Sequence, residues 1–137
     1  MPIAKDIAFV CPRFAETGTV GGAETLLRAR AERLALAGRR VTFLTTCATD
    51  HFTWENAVPA GAGRVGPLEV IRFPVDPGRD VPLFHDLQSA ISRGKRLEAE
   101  EELAWIRNSV NSPALCEHLQ KDGKRLEVGG QHIAVHV

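Results

Sequence analysis

Residues 6–46 read DIAFVCPRFAETGTVGGAETLLRARAERLALAGRRVTFLTT, and this stretch decides the fold. Residues 6–12 form a short apolar run that is rich in strand-forming side chains and reaches proline at its end. Such a run, without polar alternation, predicts a strand buried on both faces. Residues 13–20 are polar or small and predict a loop. Val41–Thr46 is again apolar and β-branched, and it predicts a second buried strand.

A helix is predicted between these two strands. It opens at Gly21-Gly22, carries Glu24 in its first turn, and ends at Gly38, where glycine is the usual stop. Its apolar residues recur at helical spacing, and they are Ala23, Leu26, Leu27, Ala31 and Leu34. A strand, a glycine turn, a helix and a strand in this order predict a βαβ unit with parallel strands, and therefore an α/β fold.

The next segment is less regular. Residues 47–67 contain three glycines and two prolines, and they predict a long loop. The loop carries His51, Phe52 and Trp54, and the two aromatic side chains favour a functional role or packing on a partner. Residues 68–74 (LEVIRFP) predict a third strand, and residues 75–80 predict a linker.

Residues 81–121 predict helices. One apolar face is formed by Leu83, Leu87 and Ile91, and another by Leu103, Ile106 and Val110. Ser112-Pro113 predicts the start of a further helix, because proline is favoured at the first helical position. Leu115 and Leu119 are expected to face inward in that helix, and Asp122-Gly123 is expected to end it.

The tail has its own pattern. Residues 125–128 and 132–137 are compatible with strands, and Gly129-Gly130 between them suits a tight hairpin turn. A single strand that takes the place of a fourth strand in the sheet is the alternative.

Composition excludes several functional classes. Lys+Arg and Asp+Glu both number 17, so the chain lacks the excess positive charge of a nucleic-acid-binding protein. No apolar run approaches the ~18 residues of a membrane span, and the N-terminus does not resemble a signal peptide. Cys11, Cys47 and Cys116 are widely spaced and predict buried free thiols. A cytoplasmic location is therefore expected.

Gly21 and Gly22 are the candidate substrate-binding residues. Glycine permits positive φ and close approach of a ligand, and the helix that follows offers free N–H groups to an anion. The turn is neither G-x-G-x-x-G nor a P-loop. The alternative is that the glycines only permit a tight turn.

The sequence identifies no catalytic residue, no metal site and no cofactor. His132 and His136 are four residues apart, a spacing that suits a metal on a helix, but Gly129-Gly130 and the β-branched neighbours oppose a helix there. No Ser-His-Asp or Cys-His order is present.

Residues 7–46 resemble the opening of family 4 glycosyltransferases, which have the GT-B fold. The resemblance includes the first strand, the GGAE turn with its helix, and the second strand. It continues through TCATDHFTWENAVPAG at residues 46–61, VIRFPVD at 70–76, FHDLQSAI at 84–91 and SPALCEHL at 112–119.

The resemblance implies a Rossmann-like, three-layer α/β/α domain with a short, mainly parallel sheet, which is part of the N-terminal domain of a GT-B enzyme. It also implies a retaining transfer of sugar from a nucleotide-sugar donor to a hydroxyl acceptor. The N-terminal domain binds mainly the acceptor, and its glycine turn, here Gly21 and Gly22, approaches the donor phosphates. No divalent metal is expected.

The resemblance covers residues 7–123, within a predicted domain of residues 1–123, and is lost in the tail at residues 124–137, where the family would continue with a fourth strand. The Lys/Arg and paired-glutamate groups that grip the donor in the family have no counterpart here. We therefore expect a truncated chain that is inactive alone, through a frameshift, a premature stop or gene decay. The alternative is a non-catalytic module that binds a partner or ligand. Self-association through exposed apolar surface is expected, and a nicotinamide enzyme fits poorly because no acidic residue ends the second strand.

Overall fold

The computed structural model describes residues 6–14, 21–50, 52–128 and 135–136. Within them the chain forms two compact units, Met1–Val75 with Ser112–Val137, and Asp76–Asn111. The element order is β1 (Ile7–Val10), α1 (Gly22–Leu36), β2 (Val41–Thr46), β3 (Gly61–Val65), β4 (Leu68–Phe73), α2 (Val81–Ser92), α3 (Ala99–Arg107), α4 (Pro113–Val128) and β5 (Val135–His136).

The first unit is built on one mixed, mostly parallel sheet with the strand order β3-β4-β2-β1-β5. Four of its strands are longer than two residues, and β5 is a two-residue strand that pairs in parallel with β1. Strands β1, β2 and β4 are also parallel to one another, whereas β3 pairs with β4 in antiparallel fashion. The α/β class and the mainly parallel sheet predicted from the sequence are thus confirmed.

The sheet carries a helix on each face. On one face, Leu27 and Ala31 of α1 pack against Phe9, Phe43 and neighbouring core residues. On the other face, Leu115 and Leu119 of α4 pack with Val10 and Leu44. Successive strand residues point to opposite faces, so the apolar runs of β1 and β2 serve both helices. The predicted inward positions of Leu115 and Leu119 are confirmed.

The prediction of an irregular loop over residues 47–67 was wrong for its last part. Residues 61–65 form β3, and Gly66 and Pro67 make the two-residue turn of a β-hairpin with β4. Gly66 has φ 58°, which explains glycine at that position. The strand was missed because GAGRV has neither apolar alternation nor β-branched enrichment, and because its burial is slight.

Helix α1 ends as predicted, since Gly38 lies just beyond it with φ 91°. The predicted inward face of α1 is only partly confirmed, because Leu26 is 55% exposed and Ala23 is also exposed. Helix α4 begins at Pro113 as predicted, and the Ser112 hydroxyl donates to the Pro74 carbonyl at 2.8 Å.

Two predictions for the last part of the chain were wrong. Helix α4 continues through Asp122-Gly123 to Val128, so residues 125–128 are helical and not a strand. The Gly129-Gly130 turn and His132 lie outside the described residues. Val135–His136 pair in parallel with β1, which agrees with the alternative prediction that the tail supplies a single strand to the sheet. The predicted boundary at residue 123 between the family-like part and the tail stays a prediction.

The second unit consists of α2 and α3. Leu87 and Ala90 of α2 pack with Leu97, Ala104 and Trp105. The Trp105 indole donates to Gln88 Oε1 at 3.0 Å. Contrary to the predicted apolar face of α3, Leu103 and Ile106 are 51% and 57% exposed.

Candidate functional site

The Gly21-Gly22 turn lies where predicted, between the carboxyl end of β1 and the first turn of α1. Gly21 is the N-cap residue, and α1 begins at Gly22. Gly21 has φ −61° and ψ 163°, an extended conformation that any residue adopts, and Gly22 is helical. Positive φ, one of the reasons that the sequence suggested for these glycines, therefore does not apply to either of them.

Packing disfavours a side chain at Gly21. A Cβ atom at this position would lie 2.6 Å from Glu24 Oε2 and 3.6 Å from Arg13 Nη2. A methyl group would therefore displace the Glu24 carboxylate. Gly22 differs, because a Cβ there would meet nothing within 4 Å. Neither backbone strain nor packing requires glycine at position 22, whose N–H belongs to the first turn of a 15-residue helix.

Arg13 and Glu24 form an ion pair at this end of the sheet, which the sequence pattern did not predict. Arg13 Nη2 donates to Glu24 Oε1 at 3.0 Å, and the two side chains are 10% and 17% exposed. Arg13 Nε is buried and has no hydrogen-bond partner in the part of the chain that the structure describes. The sequence feature that could have indicated this pair is the position of Arg13, a charged residue directly after the apolar strand and Pro12.

The pair sets the local charge. Glu24 lies in the first turn of α1, where a carboxylate interacts favourably with the helix dipole. The guanidinium of Arg13 offsets that negative charge, so the helix N-terminus keeps its own partial positive potential. Arrangements of this kind bind phosphate or carboxylate groups.

Cys11 adjoins the ion pair but is not a nucleophile. Burial raises the pKa of its thiol, and the nearby Glu24 carboxylate acts in the same direction. A backbone hydrogen bond involving Arg13 and the charge of Arg13 oppose this rise in the pKa. The thiol is therefore protonated at neutral pH, and a thiol in that state is a poor nucleophile.

The carboxyl end of β2 is held by threonine. The Thr46 hydroxyl donates to the Pro12 carbonyl at 2.5 Å and accepts from Ala48 N at 3.2 Å. These bonds fix the segment after β1 against the segment after β2. Thr45 is fully buried, and its hydroxyl has no partner among the described residues.

Hydrogen bonds anchor the aromatic loop at residues 47–50 and 52–58. Asp50 Oδ1 accepts from Phe52 N at 2.7 Å, and Asn56 exchanges two hydrogen bonds with the backbone of Val75 at 2.8 and 2.9 Å. Phe52 is 67% exposed at the tip. Trp54 has φ 53°, a conformation that non-glycine residues seldom adopt outside functional or tightly packed sites. His51 lies outside the described residues.

The other residues singled out from the sequence do not converge. The Phe73 and His118 rings lie 5.1 Å apart, and the Phe84 and His85 rings lie 5.7 Å apart. Among the described residues, no group of three or more His, Cys, Asp or Glu side chains is placed to hold a metal ion. Cys11 and Cys47 are buried as predicted, whereas the prediction for Cys116 was wrong because it is exposed.

Over the described ranges, none of the helices combines the length and the apolar character needed to cross a lipid bilayer. Comparison of the chain with protein-family models, with curated proteins and with solved structures gave no match.

Proposed function

We propose that this chain is part of the acceptor-side domain of a family 4, GT-B glycosyltransferase. In this proposal, the Gly21-Gly22 turn faces the diphosphate of a nucleotide-sugar donor. The observation that carries the proposal is the position of this turn, which follows β1 and opens α1 at the carboxyl end of the parallel strands. The family itself is proposed from the sequence resemblance.

Topology supports a ligand at this position. The chain runs from β1 outward to β2 and β4, whereas β5 pairs on the opposite side of β1. The strand order therefore reverses at β1, and open α/β sheets bind ligands outside the carboxyl ends of the strands at such a point. Gly21 and Gly22 follow the strand at which the reversal occurs.

The proposed division of labour follows from the residues. The N–H groups at the start of α1 would hold the donor phosphates, and Arg13 would limit the repulsion between those phosphates and Glu24. In the family that the chain resembles, the Lys/Arg and paired-glutamate groups that grip the donor belong to a second, donor-side domain.

The test is a titration of the chain with uridine diphosphate or inorganic pyrophosphate, in which binding is monitored by the NMR chemical shifts of the backbone amides. Amide shifts centred on Gly21, Gly22 and Ala23 are expected. Gly22→Pro removes one N–H at the first helical position, which proline tolerates, and Gly21 already has the extended conformation that a residue before proline prefers. Loss of a charge-assisted hydrogen bond worth about 1.5–3 kcal/mol would weaken binding by roughly 10- to 150-fold.

Gly22→Ala is the matched control. It also adds carbon to the open space beside residue 22 but keeps the N–H, so it should bind the two probes nearly as the wild type does. Equal weakening in both variants would point to a steric effect and contradict the proposed role of the N–H.

A second candidate function is a partner-binding module. The observation that favours it is Phe52, 67% exposed on an anchored loop. If neither probe shifts the amides of residues 21–24, the glycosyltransferase proposal loses its site, and this second reading is preferred.

A further inference from the structure

The side of helix α1 that faces away from the sheet carries two large apolar side chains. Leu26 is 55% exposed and Leu36 is 78% exposed. Because a helix has about 3.6 residues per turn, residues 26, 29, 33 and 36 share one face and span about 15 Å along its axis. The opposite face holds Ala31, which is fully buried in the core of the sheet. Both leucines therefore project into solvent.

Exposed arginines accompany these leucines. Arg33 lies between Leu26 and Leu36 on the shared face, and Arg30 lies at its border. Arg39 follows directly after the glycine that ends the helix, and it is exposed as well. The side chains of Arg30, Arg33 and Arg39 form no hydrogen bond or ion pair with any residue that the structure describes.

The two carboxylates of α1 do not offset these charges. Glu24 pairs with Arg13 and is 17% exposed, and Glu32 pairs with Arg28. Each carboxylate is thus neutralised by an arginine that does not belong to the exposed face. The equal totals of 17 basic and 17 acidic residues in the whole chain therefore conceal a local excess of positive charge. We call the surface formed by Leu26, Ala29, Arg30, Arg33 and Leu36 the α1 outer face.

The combination of leucine and arginine selects the kind of surface that covers this face. One exposed leucine is ordinary on a protein surface, but here two of them bracket an arginine on the same stripe. A nucleic acid would neutralise the arginines and leave the leucines in water. An anionic lipid surface accommodates both groups, because lipid phosphates attract guanidinium groups while leucines enter the boundary between headgroups and acyl chains.

We propose that the α1 outer face binds peripherally to a membrane surface rich in anionic phospholipids. Leu26 and Leu36 enter the boundary between headgroups and acyl chains, and Arg30 and Arg33 contact lipid phosphates. Arg39 adds positive charge at the end of the helix. A helix that lies on the surface in this way is held by its apolar contacts and its charge, and it does not need the length of a membrane span.

The experiment is flotation of the full chain with vesicles of phosphatidylglycerol and phosphatidylcholine in equal parts, and with vesicles of phosphatidylcholine alone. The chain should bind the anionic vesicles at least about tenfold more strongly, and high salt should weaken that binding. Equal binding to both kinds of vesicle, or binding to neither, would overturn the proposal. Binding to duplex DNA without binding to vesicles would also overturn it and would assign the face to nucleic acid. The vesicles contain no nucleotide or sugar, so failure here leaves the function proposed above untouched.

Two matched pairs of variants locate the surface. Arg33→Gln should weaken binding to the anionic vesicles about fivefold, whereas Arg64→Gln, which removes an exposed arginine from β3, should leave it within about twofold. Leu26→Asn should weaken binding about tenfold, whereas Leu103→Asn on α3, where the leucine is 51% exposed, should not. Equal effects within either pair would overturn the proposal. Far-UV circular dichroism of each variant confirms that it is folded.

A fluorescent label reports directly which side of the sheet meets the lipid. Ala29→Cys in a Cys116→Ser background places a thiol-linked, environment-sensitive dye on the α1 outer face, and the buried Cys11 and Cys47 do not compete for it. Its emission should shift to the blue when anionic vesicles are added. The same dye on the native Cys116 is the control, because α4 covers the opposite face of the sheet. A blue shift at both positions, or at neither, would contradict the proposed orientation.

Discussion

The Arg13–Glu24 ion pair yields the sharpest quantitative prediction. The two side chains are 10% and 17% exposed, and the pair joins the segment after β1 to the first turn of α1. Removing either partner leaves the other charged group largely buried without its counter-charge. We predict that Glu24→Ala lowers the free energy of unfolding and that Arg13→Ala does so as well.

The magnitude follows from burial. Breaking a fully buried pair costs about 3–5 kcal/mol, while exposed pairs contribute about 0.2–1 kcal/mol. Glu24 is partly exposed, and Arg13 Nε has no hydrogen-bond partner among the described residues, so this pair lies between the two limits. We expect an interaction energy of about 2 kcal/mol in a double-mutant cycle.

The chain contains a matched control. Arg28 Nε and Glu32 Oε1 are also 3.0 Å apart, but these side chains are 31% and 36% exposed. They lie one helical turn apart on α1, and such pairs contribute about 0.3–0.5 kcal/mol. Arg28 also lies over the Phe14 ring at 5.0 Å, and the cycle cancels that contact because the Arg28 change appears in both the single and the double mutant.

The assay is urea unfolding of the wild type, the single mutants and the double mutant for each pair, at pH 7. Comparable m-values are required, because a changed m-value would signal altered cooperativity between the two compact units. Raising the salt concentration should weaken the exposed pair more than the buried one. Equal interaction energies in the two cycles would refute the argument that burial, at constant distance, sets the strength of the Arg13–Glu24 pair.

Two further predictions concern thiols and acid. At pH 8, iodoacetamide should modify the exposed Cys116 in the native chain. Cys11 and Cys47 should react only after unfolding, because both are buried and burial raises the pKa of their thiols. Rapid labelling of Cys11 or Cys47 in native Cys116→Ser, measured by mass spectrometry, would contradict this prediction. Because the folded state holds these two thiol protons more tightly than the unfolded chain does, the two cysteines contribute stability below the ordinary thiol pKa. This contribution is lost as the pH rises through their pKa values in the folded state. In the second unit, a hydrogen bond from the Glu98 backbone lowers the pKa of Glu101, with Lys95 adding to the effect. The ionised Glu101 therefore contributes stability above the ordinary glutamate pKa, and this contribution is lost as the pH falls through the lowered pKa. The wild type should lose more helical circular-dichroism signal on acidification than Glu101→Gln does. Titration curves of the two proteins that run parallel would contradict this role of Glu101.

The interior strands were predictable because their burial leaves a direct trace in the sequence. Strands β1 and β2 lie within the sheet and pack against helices on both faces, so they read as short apolar runs. Ser112-Pro113 was predictable for a local reason, because proline suits the first turn of a helix. These signals depend on neighbouring residues only and need no knowledge of the tertiary fold.

The missed features depend on contacts between distant parts of the chain. Strand β3 is an edge strand of exposed small residues, and only its pairing with β4 defines it. On α3, Leu103 and Ile106 satisfied the helical period, but Ala104 and Trp105 make the contact with α2, partly through the Trp105–Gln88 hydrogen bond. Arg13 was missed because its partner lies 11 residues away.

The two glycines of the candidate site show how structure divides a motif that the sequence presents as one. At Gly21, a side chain would meet the carboxylate end of Glu24, so a larger residue would require that side chain to move and would disturb its pair with Arg13. At Gly22, the backbone is helical, a Cβ would lie in open space, and glycine lowers helix stability relative to alanine. Neither conformation nor packing therefore requires glycine at position 22, so the proposed contact there depends on the N–H and not on the missing side chain, which is the distinction that Gly22→Pro and Gly22→Ala test.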